Sequence, residues 1–162
     1  MTERKPEWLK QQSATLEAVT AAKRDNALAD LTIEARGLEF WEEIQKEAEV
    51  VAKHPPSGLW ARFNHSNFAV SRHEDHFRIE AGYLGICPRM SYADCWYRPG
   101  DKKIRCKTTL TGSEFLLLLC VLDGQIRAVS PQHAEPMNAE EIVRFLVEPM
   151  NDYAIIAALA SA

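Results

Sequence analysis

An α+β fold is predicted by three features of this 162-residue sequence: a long N-terminal helical segment, a six- to seven-stranded antiparallel meander, and a closing C-terminal helix. Residues 7 to 53 hold no proline and one glycine, the apolar period falls from about 3.6 to 2 beyond Leu59, and a capped apolar stripe follows the last alternating run. A helical block, then strands, then a helix is the order of an α+β chain and not of an alternating α/β one.

The N-terminal segment from Glu7 to Lys53 is rich in Leu, Ala, Glu, Lys and Gln, all strong helix formers. Leu28, Leu31, Ala35 and Leu38 recur at alternating spacings of three and four. After a three-residue phase shift, Trp41, Ile44, Ala48 and Val51 take up the same rhythm. Earlier, Leu9, Leu16 and Val19 share a face that goes on to carry Lys23 and Asn26. Asp25-Asn26 and Gly37 are the two places where the helix could break, and His54-Pro55-Pro56 ends it. A domain boundary is therefore placed between a helical oligomerisation segment, residues 1–54, and an α+β domain, residues 55–162. A continuous helix of this length would overhang its own domain and leave Trp8, Leu9, Leu16, Leu28 and Leu31 uncovered. Either the chain turns back at Asp25-Asn26 as a helical hairpin, or a second subunit covers the stripe, and the heptad-like run favours a homodimer.

Phe77, Ile79, Ala81 and Tyr83 alternate with His76, Arg78 and Glu80, the pattern of a half-buried strand, and the corner His73-Glu74-Asp75-His76 joins it to Phe68 and Val70 in a hairpin. A second hairpin pairs Met90–Tyr97 with Lys103–Leu110 across Arg98-Pro99-Gly100-Asp101. In a third, Phe115–Leu122 returns through the type I′ dipeptide Asp123-Gly124 to Gln125–Ser130. Apolar on both faces, Phe115–Leu122 is expected at the centre of the sheet or covered on both sides. Asn138-Ala139-Glu140-Glu141 opens the C-terminal helix, and Pro149 kinks or restarts it. The sheet is then either curled around this helix or a small barrel capped by it.

The net charge of −4 is unevenly spread: residues 1–53 carry −3, residues 54–107 carry +4, and residues 108–162 carry −5. No secretory signal or membrane span is read from the sequence, which places the protein in the cytoplasm. The four cysteines, with no Cys-x-x-Cys pair, read as reduced core thiols. No phosphate loop, dinucleotide fingerprint, nucleophile elbow or zinc-protease motif occurs, so no cofactor is implied and the case for an enzyme is weakened. His73, Glu74, Asp75 and His76 could ligate a metal, but side chains adjacent on a strand diverge, so no metal is assigned.

The basic middle segment supplies the candidate ligand-binding residues Arg78, Lys103, Arg105, Lys107, Trp96 and Tyr97. Cations and aromatic faces on one sheet can hold phosphates and stack bases. An excess of +4 is modest for a polyanion binder, which ranks nucleic acid behind a protein partner. The function expected first is a non-enzymatic interaction protein that self-associates through Leu28, Leu31, Leu38 and Trp41 and offers its sheet to a macromolecule. Second is a module binding an anionic ligand or nucleic acid. Third is a small enzyme whose Tyr83, Tyr92, His65 and Cys87 meet in a cup between sheet and C-terminal helix.

Overall fold

The computed structural model describes residues 7–53, 66–83, 89–109 and 112–160, in the backbone alone at 66–68, 82–83, 89–90 and 151–160. Helix α1 runs Glu7–Lys53 without a break. Among the described residues seven strands follow: β1 (Ser66–Arg72), β2 (His76–Tyr83), β3 (Arg89–Trp96), β4 (Lys103–Thr108), β5 (Glu114–Leu122), β6 (Gln125–Ser130) and β7 (His133–Met137). Helix α2 spans Ala139–Ala160 and passes through Pro149 as one element. The hairpin considered for residues 7–53 does not form. The helix end expected at His54-Pro55-Pro56 lies outside the described residues.

Every strand pairs antiparallel with its sequence neighbours in the order β1 to β7, and the sheet does not close into a barrel. Helix α1 packs against β1 and also against β5 and β6, and helix α2 lies beside α1 on the same face of the sheet, touching β2, β3 and β7.

The core is built between the helices and the inward rows of the strands. From α1 come Ile33, Phe40, Trp41, Ile44 and Ala48; from the sheet Phe77, Ile79, Ile104, Leu117 and Ala128; from α2 Ile142, Val143, Leu146 and Met150. The second half of α1 is thus part of the α+β core, and a boundary at residue 54 would cut through it. Hydrogen bonds fix the angle of α1. Trp41 Nε1 donates to Glu74 O at 3.1 Å, and the buried Gln45 donates through Nε2 to His73 O at 3.0 Å while its Oε1 accepts from Arg72 Nε at 3.1 Å. The corner between β1 and β2 is therefore pinned to the helix.

Two turns close as the sequence predicts. Arg98-Pro99-Gly100-Asp101 has the Asp101 N–H donating to Arg98 O at 3.0 Å and Gly100 at φ 87°, a type II turn whose third residue must tolerate positive φ. Asp123 and Gly124, at φ 51° and 72°, form the two-residue link between β5 and β6. At the start of α2, Asn138 Oδ1 accepts from the Glu141 N–H at 2.8 Å and Glu141 Oε2 accepts from the Asn138 N–H at 2.9 Å, the reciprocal capping box. Strand β7 was not singled out in the sequence. It is an edge strand with Pro136, which an edge tolerates because no neighbour needs that missing N–H, and its register with β6 shifts between Ala128 and Ser130.

Gly37 has a packing role. It is buried, and a methyl group at this position would overlap the Tyr97 hydroxyl. Gly37→Ala is therefore expected to destabilise the protein by up to about 2 kcal/mol, because steric strain of about 1–3 kcal/mol is set against a gain of about 1 kcal/mol in helix propensity. Removing the hydroxyl makes room. Urea denaturation of Gly37→Ala with Tyr97→Phe should recover most of the loss, and additive losses would show that the overlap is not the cause.

Candidate binding surface on the outer face of the sheet

Alternation along each strand sends one row of side chains to the helices and the other to the opposite, outer face. On β2 the outward residues are His76, Arg78 and Glu80; on β3 they are Tyr92, Asp94 and Trp96; on β4 they are Lys103, Arg105 and Lys107. Register aligns them in rungs across the strands. One rung reads Arg78, Asp94, Lys107, Glu114, with alternating charge; the next reads His76, Trp96, Arg105, Leu116.

Asp94 organises this face. Its carboxylate is buried and accepts from Arg78 Nε and Nη2, both at 2.7 Å, and lies 3.0 Å from His76 Nε2. Burial works to raise the Asp94 carboxyl, but the hydrogen bonds from Arg78 and His76 outweigh it and hold it below the usual carboxylate range. Arg78 also stands over the Tyr92 ring at 4.6 Å. A ring stack runs along the neighbouring rung: His73 on His76 at 5.9 Å, His76 on Trp96 at 5.1 Å, and the Arg105 guanidinium 5.7 Å from the Trp96 ring. Trp96 stands between a neighbour from β2 and one from β4. A base stacking on Trp96 would have to displace one of them.

Of the residues expected to bind a ligand, Arg78, Lys103, Arg105, Lys107 and Trp96 do share one face. Tyr97 does not. It is buried with 2% of its surface exposed, against Trp41 at 5.6 Å, and burial pushes its phenol up. Among the described residues Lys103 and Lys107 enter no ion pair, and Lys102 reaches Asp30 of α1 at 2.7 Å. Where β3 and β4 meet their turn, Asp75, Trp96, Tyr97, Arg98, Asp101, Lys103 and Arg105 line a cleft of about 360 Å³. Three cations face it against two carboxylates. Asp94 was missed in the sequence, although an aspartate in the middle of a strand, between Ala93 and Cys95, is itself a signal because strands are poor in aspartate.

Beyond the cations the outer face turns apolar. Strand β5 is central, as expected, but only its inward row is covered: Leu116, Leu118 and Leu122 are 37%, 52% and 49% exposed. The oligomerisation residues also divide. Leu28, Leu31 and Leu38 are exposed on α1, whereas Trp41 is buried in the core of its own chain. At 3.6 residues per turn, Leu28, Leu31 and Leu38 lie roughly 140° around the helix from the buried stripe. The buried stripe begins at Ile33, so the two faces run side by side from Ile33 to Leu38. Residues 7–28 are exposed throughout, with Trp8, Leu9, Leu16 and Val19 prominent.

Of the groups considered for an enzymatic cup, His65, Cys87 and the Tyr83 side chain lie outside the described residues, and Tyr92 is on the opposite face of the sheet from α2. Among the described residues no three His, Cys, Asp or Glu side chains converge as a metal site. No helix among them is long and apolar enough to cross a membrane. The chain matches no protein-family model, no curated protein and no solved structure.

Proposed function

We propose that this protein is a non-enzymatic assembly protein that forms a homodimer through the exposed part of α1 and presents the outer face of its sheet to a macromolecular partner. The observation that carries this reading is the unbroken helix. Its first 22 described residues extend about 33 Å at 1.5 Å per residue, and all of them are exposed. A leucine transferred from water into an interface contributes roughly 2 kcal/mol. Trp8, Leu9, Leu16, Val19, Leu28 and Leu31 together give a second helix ample apolar surface to bury. The exposed leucines of β5, next to the free cations of β4, give the sheet the mixture of apolar centre and charged border found in protein interfaces.

Light scattering on the full chain tests the dimer. The expected mass is about twice the 18.3 kDa of one chain. Leu28→Glu with Leu31→Glu, or Leu9→Glu with Leu16→Glu, should halve it while the far-ultraviolet dichroism of the sheet persists. A full chain that stays monomeric at micromolar concentration overturns the reading.

The cleft favours a second reading, a site for an anionic ligand, because Arg98, Lys103 and Arg105 converge there beside Trp96. Binding of a nucleotide or a short oligonucleotide would quench Trp96 fluorescence and weaken steeply as salt rises. Lys103→Ala with Arg105→Ala should abolish it. Quenching that survives both substitutions would place the ligand elsewhere.

A further inference from the structure

The inner faces of β3 and β4 carry a pair of thiols that the proposed assembly does not use. Cys95 and Cys106 are opposite each other in register, both reduced, and their sulfurs are 3.4 Å apart. The kind of rung they occupy follows from the ladder. The Thr109 N–H donates to Tyr92 O at 3.0 Å, which makes Tyr92 and Thr109 a hydrogen-bonded pair. Antiparallel rungs alternate, so Asp94 with Lys107 is hydrogen-bonded and Cys95 with Cys106 is not. In a rung of this second kind the Cα atoms stand about 4.5 Å apart, just inside the range of roughly 4.4–6.8 Å that a disulfide spans. The backbone already holds the two sulfurs within reach of a bond.

We propose that Cys95 and Cys106 are a redox pair that closes into a cross-strand disulfide under a peroxide and reopens on reduction. One thiol displaces water from the peroxide and becomes a sulfenic acid. The neighbouring thiol then attacks that sulfur, an S–S bond forms, and the hydroxyl leaves as a second water. Two thiols and one hydrogen peroxide thus give one disulfide and two waters, with the two electrons going from sulfur to the peroxide oxygens. Both sulfurs are buried, and burial, followed by the hydrogen bond that the Cys95 thiol donates to Cys106, pushes Cys95 well above its ordinary range. The first step is therefore slow and waits on local opening of β3 and β4. The second is fast, because the partner is already in contact. A short rung at the low end of the disulfide range is also the kind of link that reducing agents open readily. Its closure acts on the outer face, since the adjoining rung carries Trp96 and Arg105.

The test uses the full chain with Cys87→Ser and Cys120→Ser, which leaves these two thiols. Hydrogen peroxide should remove both together with a mass loss of about 2 Da, dithiothreitol should restore both, and Trp96 emission, read as the difference from Trp96→Phe, should shift with each change. In the unsubstituted chain, peptide mapping should find Cys95 linked to Cys106, which keeps the test independent of whether the serine variant folds. A gain of about 16 or 32 Da without a link overturns the proposal. So does a pair of thiols still reduced after the methionines have oxidised.

Discussion

Trp41→Ala is expected to lower the free energy of unfolding by about 3–5 kcal/mol, the range for deleting a large aromatic from a packed core. Trp41 is 1% exposed, with its ring 5.1 Å from Phe77 and 5.6 Å from Tyr97, so its removal opens a cavity at the junction of α1, β2 and the β3–β4 turn. Its indole N–H also satisfies Glu74 O. Trp41→Phe keeps most of the apolar surface and loses that donor, so it should cost only about 1–3 kcal/mol. Denaturant titration of both variants, followed by far-ultraviolet dichroism, separates packing from hydrogen bonding. Equal losses would show that the hydrogen bond to Glu74, and not the ring, holds α1 to the sheet.

Arg78→Ala should cost about 3 kcal/mol near neutral pH, because it leaves the Asp94 carboxylate buried without the guanidinium that faces it through two hydrogen bonds. The pH dependence gives the sharper readout. In the native protein the Asp94 carboxyl is held below its ordinary range, so the folded state binds its proton less tightly than the unfolded chain. The stability contributed by Asp94 is then fully present above the ordinary carboxylate range, and is lost as pH falls through the lowered value. In Arg78→Ala burial prevails, the Asp94 carboxyl rises, and the sign reverses: the folded state now takes up the proton more readily. Arg78→Ala should accordingly be most impaired at neutral pH and regain ground on the parent protein as pH falls towards 4, where a neutral Asp94 is no longer costly. Parallel losses at every pH would mean that the ion pair does not control this carboxylate.

The periodicities carried most of the fold. Period-2 alternation and turn chemistry are local properties, so six of the seven strands and the links Pro99-Gly100 and Asp123-Gly124 could be read directly from the residues that make them. The capping box at Asn138 is local in the same sense. What the sequence left open depended on contacts between distant residues. Leu28 and Ile44 look alike as apolar positions on a helix, but only the reach of the sheet decides that Ile44 is covered and Leu28 is not. Likewise Trp96 and Tyr97 are adjacent aromatics in a basic segment, and the pleat sends one outward to Arg105 and the other inward to Trp41. The candidate surface was legible as a composition of cations and aromatics. Its organising group, Asp94, was not, because its importance comes from Arg78 and His76 on a neighbouring strand.

The passage of α1 into the core also has a consequence during synthesis. Ile33, Phe40, Trp41 and Ile44 leave the ribosome before any strand exists, and their partners Ile142, Val143 and Leu146 on α2 emerge about 100 residues later. At 5–20 residues per second that is roughly 5–20 s during which the inner stripe of the helix has no finished sheet to cover it. The meander shortens the exposure, because each strand can pair with the one just made as soon as its turn is complete. Nascent chains on one messenger would display the Trp8–Leu31 stripe and the inner stripe at the same time. Pairing of two helices along the wrong face at that stage would trap both chains before their sheets could form.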